Sequence, residues 1–468
     1  FGTNTYSGPT AINGGVVSIS DSANLGNAAA TNTLSISGAT LRSTFVGNVD
    51  LTSNRTIAVG TGGVAFDTPL ATNTLTISGI MTSVGTDDVY KTGLGTLIMA
   101  PTGIHTYTGN TFILAGIVSM SISESFGSIT GGYVQVEDGA QILLAGNGTA
   151  NAINTGTAKQ FKLKGAGPGG TSAAVLNNSG IGQNQTMQNI LLLADTSIGG
   201  ANQIDMRGAG TGSTLDTNGF TFKKIGAGTM NIVGTTINNT TFTKNPSILI
   251  AQGTFSLETT ANVFVASGAT GSIQVEPATI FYLYQAALTS PNTSPIVMNG
   301  GIFRAFNGSP LACEWAGDII MQANSTFENS NGTVPRTFTL SGKISGPGNV
   351  NIVGSTTIGA GNVIITNMNN DYTGTTTISS GILQVPFINS VVGGSPTGPL
   401  GAQPTSAAAG TINIGSAGST GVLCYAGPGE TTDRVINQAG TTGGVQLRNN
   451  SPTNGAVNFK GDITSTGT

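Results

Sequence analysis

A single histidine, His105, and 20 acidic residues limit the chemistry open to this 468-residue chain. Acyl transfer by a Ser-His-Asp or Cys-His arrangement would have to pass through His105, because the imidazole is the proton carrier of such a site. His105 stands just before a Tyr-Thr-Gly corner, where other copies of the same corner carry Asn4 and Asp371, so it reads as a turn residue. Glycoside hydrolysis needs two carboxylates about 5–10 Å apart. The closest acidic pairs in sequence are Asp87-Asp88 and Glu137-Asp138. Both lie beside glycine in apparent turns, and neighbouring residues of a strand point to opposite faces. Neither pair is a preformed dyad. The stretch from Gly165 to Gly170 fits Gly-x-Gly-x-x-Gly, but Pro168 interrupts it and no helix or acidic partner follows, as a dinucleotide site requires. Tandem Gly-Gly-x-Gly-x-Asp calcium repeats are absent. No catalytic residue, metal site or cofactor site is expected.

The elements that carry these residues are strands. Segments such as Thr33-Leu34-Ser35-Ile36-Ser37, Thr74-Leu75-Thr76-Ile77-Ser78 and Tyr133-Val134-Gln135-Val136 alternate apolar with polar side chains and stop at Gly, Asn or Pro. That is the period-2 pattern of strands with one buried face. Helical periodicity is close to absent. Glycine contributes 71 residues, charged residues 8% and the hydrophobic set 38%, at a net charge of −4. Disorder of the charged kind is excluded, since an expanded chain needs low hydrophobicity and high charge. Collagen would need glycine at every third position, and no such register exists. Scarce Lys and Arg argue against a nucleic-acid partner, whose phosphates supply most of the affinity. No apolar run is long enough to cross a membrane as a helix. The start lacks the basic and apolar regions of a signal peptide. Two cysteines, Cys313 and Cys424, are too few for a disulfide framework and are expected to be buried free thiols.

A long-range repeat decides how the strands are arranged. One block reads Lys91-Thr92-Gly93-Leu94-Gly95-Thr96-Leu97, then His105-Thr106-Tyr107-Thr108-Gly109, then Ala115-Gly116-Ile117-Val118. A second reads Gly346-Pro347-Gly348-Asn349-Val350, then Asp371-Tyr372-Thr373-Gly374, then Ser380-Gly381-Ile382-Leu383. A weaker copy begins at Lys224-Ile225-Gly226-Ala227-Gly228 and closes at Gln252-Gly253-Thr254-Phe255, without the tyrosine corner. The chain also opens inside a copy, Asn4-Thr5-Tyr6-Ser7-Gly8. A unit of two or three short strands with tight corners cannot bury its apolar face alone. Stacked along one axis, successive units enclose a continuous core.

These residues resemble the passenger-associated β-strand repeat of autotransporter-type proteins. Residues 91–120 and 369–385 match it well, and residues 224–257 match without the corner tyrosine. The connecting text Ser53-Asn54-Arg55-Thr56-Ile57 and Thr431-Thr432-Asp433-Arg434-Val435-Ile436 is similar to that family as well. The resemblance implies an all-β, right-handed parallel β-helix displayed outside a bacterial cell, and it carries over no catalytic residue. At roughly 20–25 residues per coil, about 19–23 coils are expected, in a single solenoid segment over 1–468 belonging to a longer surface protein. Asparagines aligned from coil to coil are expected to form hydrogen-bonded ladders.

For contacts with other molecules, the strand Ile280-Phe281-Tyr282-Leu283-Tyr284 is the most informative. With Phe281 and Leu283 inward, Tyr282 and Tyr284 project outward together, fit for a lateral contact or a sugar; a strand covered by a loop is the plain reading. Trp315 is expected to be a packing anchor. The leading expectation is a non-enzymatic stalk or fibre module that self-associates end to end or laterally. The alternative is an adhesin that binds glycans or cells through its loops, and a polysaccharide-acting enzyme is the remote third.

Overall fold

In a computed structural model the described residues are 2–146, 153–208, 212–239, 246–258, 262–263, 271–284, 293–306, 312–330, 336–355 and 361–467. They form two compact units, one of residues 1–244 and 265–269, the other of residues 245–264 and 270–468. Both are parallel β-solenoids, and their turns come to about 16. Helix among the described residues is limited to three 3₁₀ turns, Ser22–Leu25, Ser123–Phe126 and Pro168–Gly170.

In the first unit Gly15–Ile19 pairs with Ala39–Ser43, which pairs with Val64–Asp67, then Val89–Thr92, Thr111–Ile113, Tyr133–Val136, Gln160–Gly165 and Asn189–Gly200, each in parallel. The register aligns Val17, Leu41, Phe66, Lys91, Ile113, Val136, Leu163 and Leu192 in one column. A period-2 strand places every second residue on the inner face, so like stacks on like with each turn. In the second unit Thr254–Glu258, Ile280–Tyr284, Ile302–Phe306, Ser325–Asn329, Val350–Gly354, Thr376–Ile378 and Ile412–Ile414 pair in the same way. Their inner column begins Phe255, Phe281, Phe303, Phe327 and ends in Ile352, Ile378 and Ile414.

The coils are longer than expected, which lowers their number from 19–23 to about 16. Some hold to the short length: Val89 to Thr111 is 22 residues (111 − 89). Others carry excursions at the corners, as from Ile378 to Ile414, 36 residues (414 − 378).

Trp315 is fully buried, as expected of an anchor, and its Nε1 donates to the Ser294 carbonyl at 3.1 Å. Its indole stands edge-on to Phe281 and Phe303. Cys313 and Cys424 are free and buried. The asparagine ladders form: Asn437 Nδ2 donates to Asn413 Oδ1 at 2.9 Å, and the amides of Asn349 and Thr375 donate to Asn324 Oδ1 and Asn349 Oδ1.

Candidate interaction surface

Most of the residues weighed for catalysis hold neighbouring backbone or side chains. His105 is buried, its Nδ1 accepts the Met81 amide at 2.9 Å, and burial pushes its pKa down to about 4. Its Nε2 is buried with no hydrogen-bond partner among the described residues. Asp87 Oδ1 accepts the Gly62 amide and Asp88 Oδ1 the Asn110 amide, so each acid closes a corner of an adjacent coil. Glu137 pairs with Lys164 at 2.6 Å and accepts from Gln135. The glycines at 165, 167, 169 and 170 all have positive φ, as a corner requires. Among the described residues no group of three His, Cys, Asp or Glu side chains could hold a metal ion.

The repeat motif has a physical explanation at each of its marked positions. The lysine of Lys-x-Gly points inward. Lys91 Nζ donates to the carbonyls of Thr92 (2.6 Å), Gly93 (2.7 Å) and Ala115 (3.2 Å), and Lys224 Nζ to those of Ile225 (2.9 Å) and Gly226 (2.8 Å). The ammonium thus satisfies carbonyls that the glycine corner turns into the core, where an unpaired acceptor would be costly. Burial pushes both lysines down to about 8. The corner tyrosine bonds the threonine four residues on: Tyr6 to Thr10 at 3.0 Å, Tyr107 to Thr111 and Tyr372 to Thr376 at 2.8 Å. Tyr107 and Tyr372 are buried, whereas Tyr6 is 44% exposed.

Tyr282 and Tyr284 lie on the outer face of Ile280–Tyr284, with Phe281 and Leu283 in the core. Both tyrosines are half-buried. Their rings meet edge-on at 5.7 Å, and Tyr284 stacks on Phe306 at 5.5 Å and 6°. Arg304 sits over Tyr282, 5.8 Å from the ring centre, and pairs with Glu328 at 2.9 Å. Burial pushes the Tyr282 hydroxyl up to about 12. Ring faces are therefore engaged within the column, and the Tyr282 hydroxyl is hydrogen-bonded to Ser330. Sequence reasoning missed a comparable patch in the first unit. There Tyr90 stacks on Phe112 at 5.2 Å and 10°, Phe112 meets Tyr133 edge-on at 5.6 Å, and Lys162 Nζ lies 3.5 Å from the Tyr133 ring centre. The signal was present, since Tyr90 and Phe112 flank inward residues one coil apart, but it needs the register to be seen.

Residues 1–19, 89–120 and 354–385 match the passenger-associated-transport-repeat family model. The copy at 224–257 falls outside those stretches. The stacked parallel coils thus carry repeats of autotransporter-passenger type, and these repeats support a location at the cell surface or outside the cell. It is similar to the adhesin BmaC autotransporter of Brucella suis biovar 1 (strain 1330), with 26% identity over 456 residues. The match covers 96% of this chain and 12% of that protein, so the chain spans about an eighth of the relative's length. No solved structure matches. No helix among the described residues is long and apolar enough to cross a membrane.

Proposed function

We propose that the chain is a non-enzymatic, adhesin-like passenger segment: a surface stalk of stacked coils whose outer faces and corner loops meet other molecules. The observation that carries this reading is how the ionisable groups are spent. His105, Asp87, Asp88, Lys91 and Lys224 each hold corner backbone. The similarity to an adhesin supports the adhesive part. Tyr282 and Tyr284, with Arg304 and Glu328 beside them, are the contact surface of this reading, and its partner is a glycan or another component of a cell surface. Aromatic rings and arginine together are the usual make-up of interface centres. Self-association and a single solenoid from 1 to 468 belong to the same proposal.

The test is adhesion of immobilised protein to cells and to a polysaccharide panel, scored for binding and for turnover. Binding without cleavage, weakened by Tyr282→Ala with Tyr284→Ala, is the expected outcome. Cleavage of a pectin or a glycosaminoglycan would overturn the non-enzymatic reading, and unaltered binding would remove the tyrosine surface. Filaments seen by electron microscopy of concentrated protein would support end-to-end association; a monodisperse monomer would exclude it.

A further inference from the structure

Three buried cations outside the matched repeats make the same contact. Arg55 Nη1 donates to the Leu25 carbonyl at 2.8 Å and to Asn32 Oδ1 at 3.4 Å, and its Nη2 donates to the Gly26 carbonyl at 3.3 Å. Lys159 Nζ donates to the Phe126 carbonyl at 3.0 Å and also to that of Gly131. Arg434 donates from Nη2 to the Leu400 carbonyl and from Nη1 to that of Gly410, both at 3.3 Å. In each case the cation reaches back to a buried Leu or Phe that lies 30, 33 or 34 residues earlier. Each grips both ends of one loop.

The loop always starts in the same way. Gly26, Gly127 and Gly401 follow that Leu or Phe with φ of 82°, 74° and 87°. A Cβ on any of them would come within 2.6, 2.3 or 2.4 Å of the carbonyl oxygen of Tyr6, Tyr107 or Tyr372, the corner tyrosines. Between the gripped ends the loop length differs. The second contact lies at Asn32, Gly131 or Gly410, so the loops differ in span while their mounts agree. Residues 405–409 are exposed, as are 30 and 31 and 130. No charged residue occurs in 26–32, 127–131 or 401–410. The longest of the three has a further clasp: Glu430 accepts the amides of Ile388 and Asn389, and Asp433 those of Val391 and Val392, just ahead of it. Arg336 is buried as well, and its Nε and Nη1 have no hydrogen-bond partner among the described residues.

We propose that a buried cation staples both ends of an exposed loop after each tyrosine corner, making 26–32, 127–131 and 401–410 presenting loops whose length and sequence can change without disturbing the coil. The staple works because two carbonyls that the turning chain leaves inside are satisfied by one cation, whatever lies between them. An uncharged loop fixed in one conformation meets its partner through hydroxyls, amides and small apolar groups, and such binding is little affected by salt. This inference does not depend on what the surface adheres to.

The test uses the full chain, with amide hydrogen exchange as the readout. In Arg434→Ala, protection at Ala402, Gln403 and Gly410 falls at least tenfold, while Ile412, Asn413 and Ile414 keep theirs. Arg434→Lys restores most of it, since lysine already serves at 159. Unchanged protection in Arg434→Ala, or loss extending equally into 412–414, would overturn the staple. A second arm inserts an eight-residue peptide tag between Thr405 and Ser406 in the otherwise unaltered chain. The expected result is an unchanged melting temperature and capture by an antibody to the tag; an insertion that unfolds the coil would overturn the presenting role.

Discussion

Phe303 is the place where packing in the second unit can be read most directly. Its ring is fully buried and meets four others: Phe281 at 5.0 Å, Trp315 at 5.4 Å, Phe327 at 6.4 Å and Phe338 at 4.9 Å. Three of the four contacts are edge-on, the geometry that the ring quadrupole favours. Phe303→Leu keeps most of the apolar area and removes the ring terms, each worth about 0.5–1.5 kcal/mol. Allowing for partial compensation by leucine, the loss is roughly 2–4 kcal/mol, somewhat below the range of about 3–5 kcal/mol for a buried Phe→Ala. Trp315 is the only tryptophan, so its fluorescence reports this region without a label. In urea the midpoint should fall by on the order of 1 M, given slopes of about 1–3 kcal/mol/M. Phe281 has three such ring partners, Phe255, Phe303 and Trp315. Phe338 has Phe303. The expected order of destabilisation is therefore Phe303→Leu, then Phe281→Leu, then Phe338→Leu at about 1 kcal/mol. Equal shifts for all three would refute the account of the core as a connected aromatic column.

The corner tyrosines should separate by burial. Tyr107→Phe and Tyr372→Phe each strand a buried threonine hydroxyl and should cost about 1–2 kcal/mol in thermal unfolding, whereas Tyr6→Phe, at an exposed site, should cost close to nothing. Burial pushes Lys91, Lys159 and Lys224 down to about 8 from 10.5, so between those values the unfolded chain holds protons that the folded one has released. Stability of the first unit should then rise with pH from 8 to 10.5, by at most about 1.4 kcal/mol per pH unit for each lysine. Denaturant midpoints that stay level from pH 8 to 9.5 would exclude it. His105 works at the other end: its pKa of about 4 lies below the ordinary 6.5, so stability is lost as pH falls from 6.5 to 4, and His105→Asn should flatten that limb.

Much of the fold was legible in the residues because its rules are local. Alternation in Ile280–Tyr284 placed Phe281 and Leu283 inward, and the glycine and tyrosine corners marked where coils turn. The buried thiols and the Trp315 anchor followed from composition and flanking residues. What escaped is non-local. Coil number was overestimated because corner excursions such as the one before Ile412–Ile414 leave no period to count. Arg55 and Arg434 were visible as parts of the connecting text, but their partners are backbone carbonyls 30 and 34 residues earlier, and a carbonyl has no letter in a sequence. The Tyr90 and Phe112 stack needed the register for the same reason.

Parallel stacking of coils is the claim on which everything else stands, and paired cysteines test it without imaging. In a background with Cys313 and Cys424 replaced by serine, cysteines are introduced at 40 and 65, at 42 and 67, at 40 and 67, and at 42 and 65. Thr40 faces Ala65 and Arg42 faces Asp67 in the parallel register. Facing residues of adjacent strands lie about 4.8 Å apart, inside the Cα separation of about 4.4–6.8 Å that a disulfide spans. The pairs 40–65 and 42–67 should both oxidise rapidly and the crossed pairs slowly. Rapid oxidation of 40–67 and 42–65 instead would mean antiparallel strands, and the solenoid would be wrong.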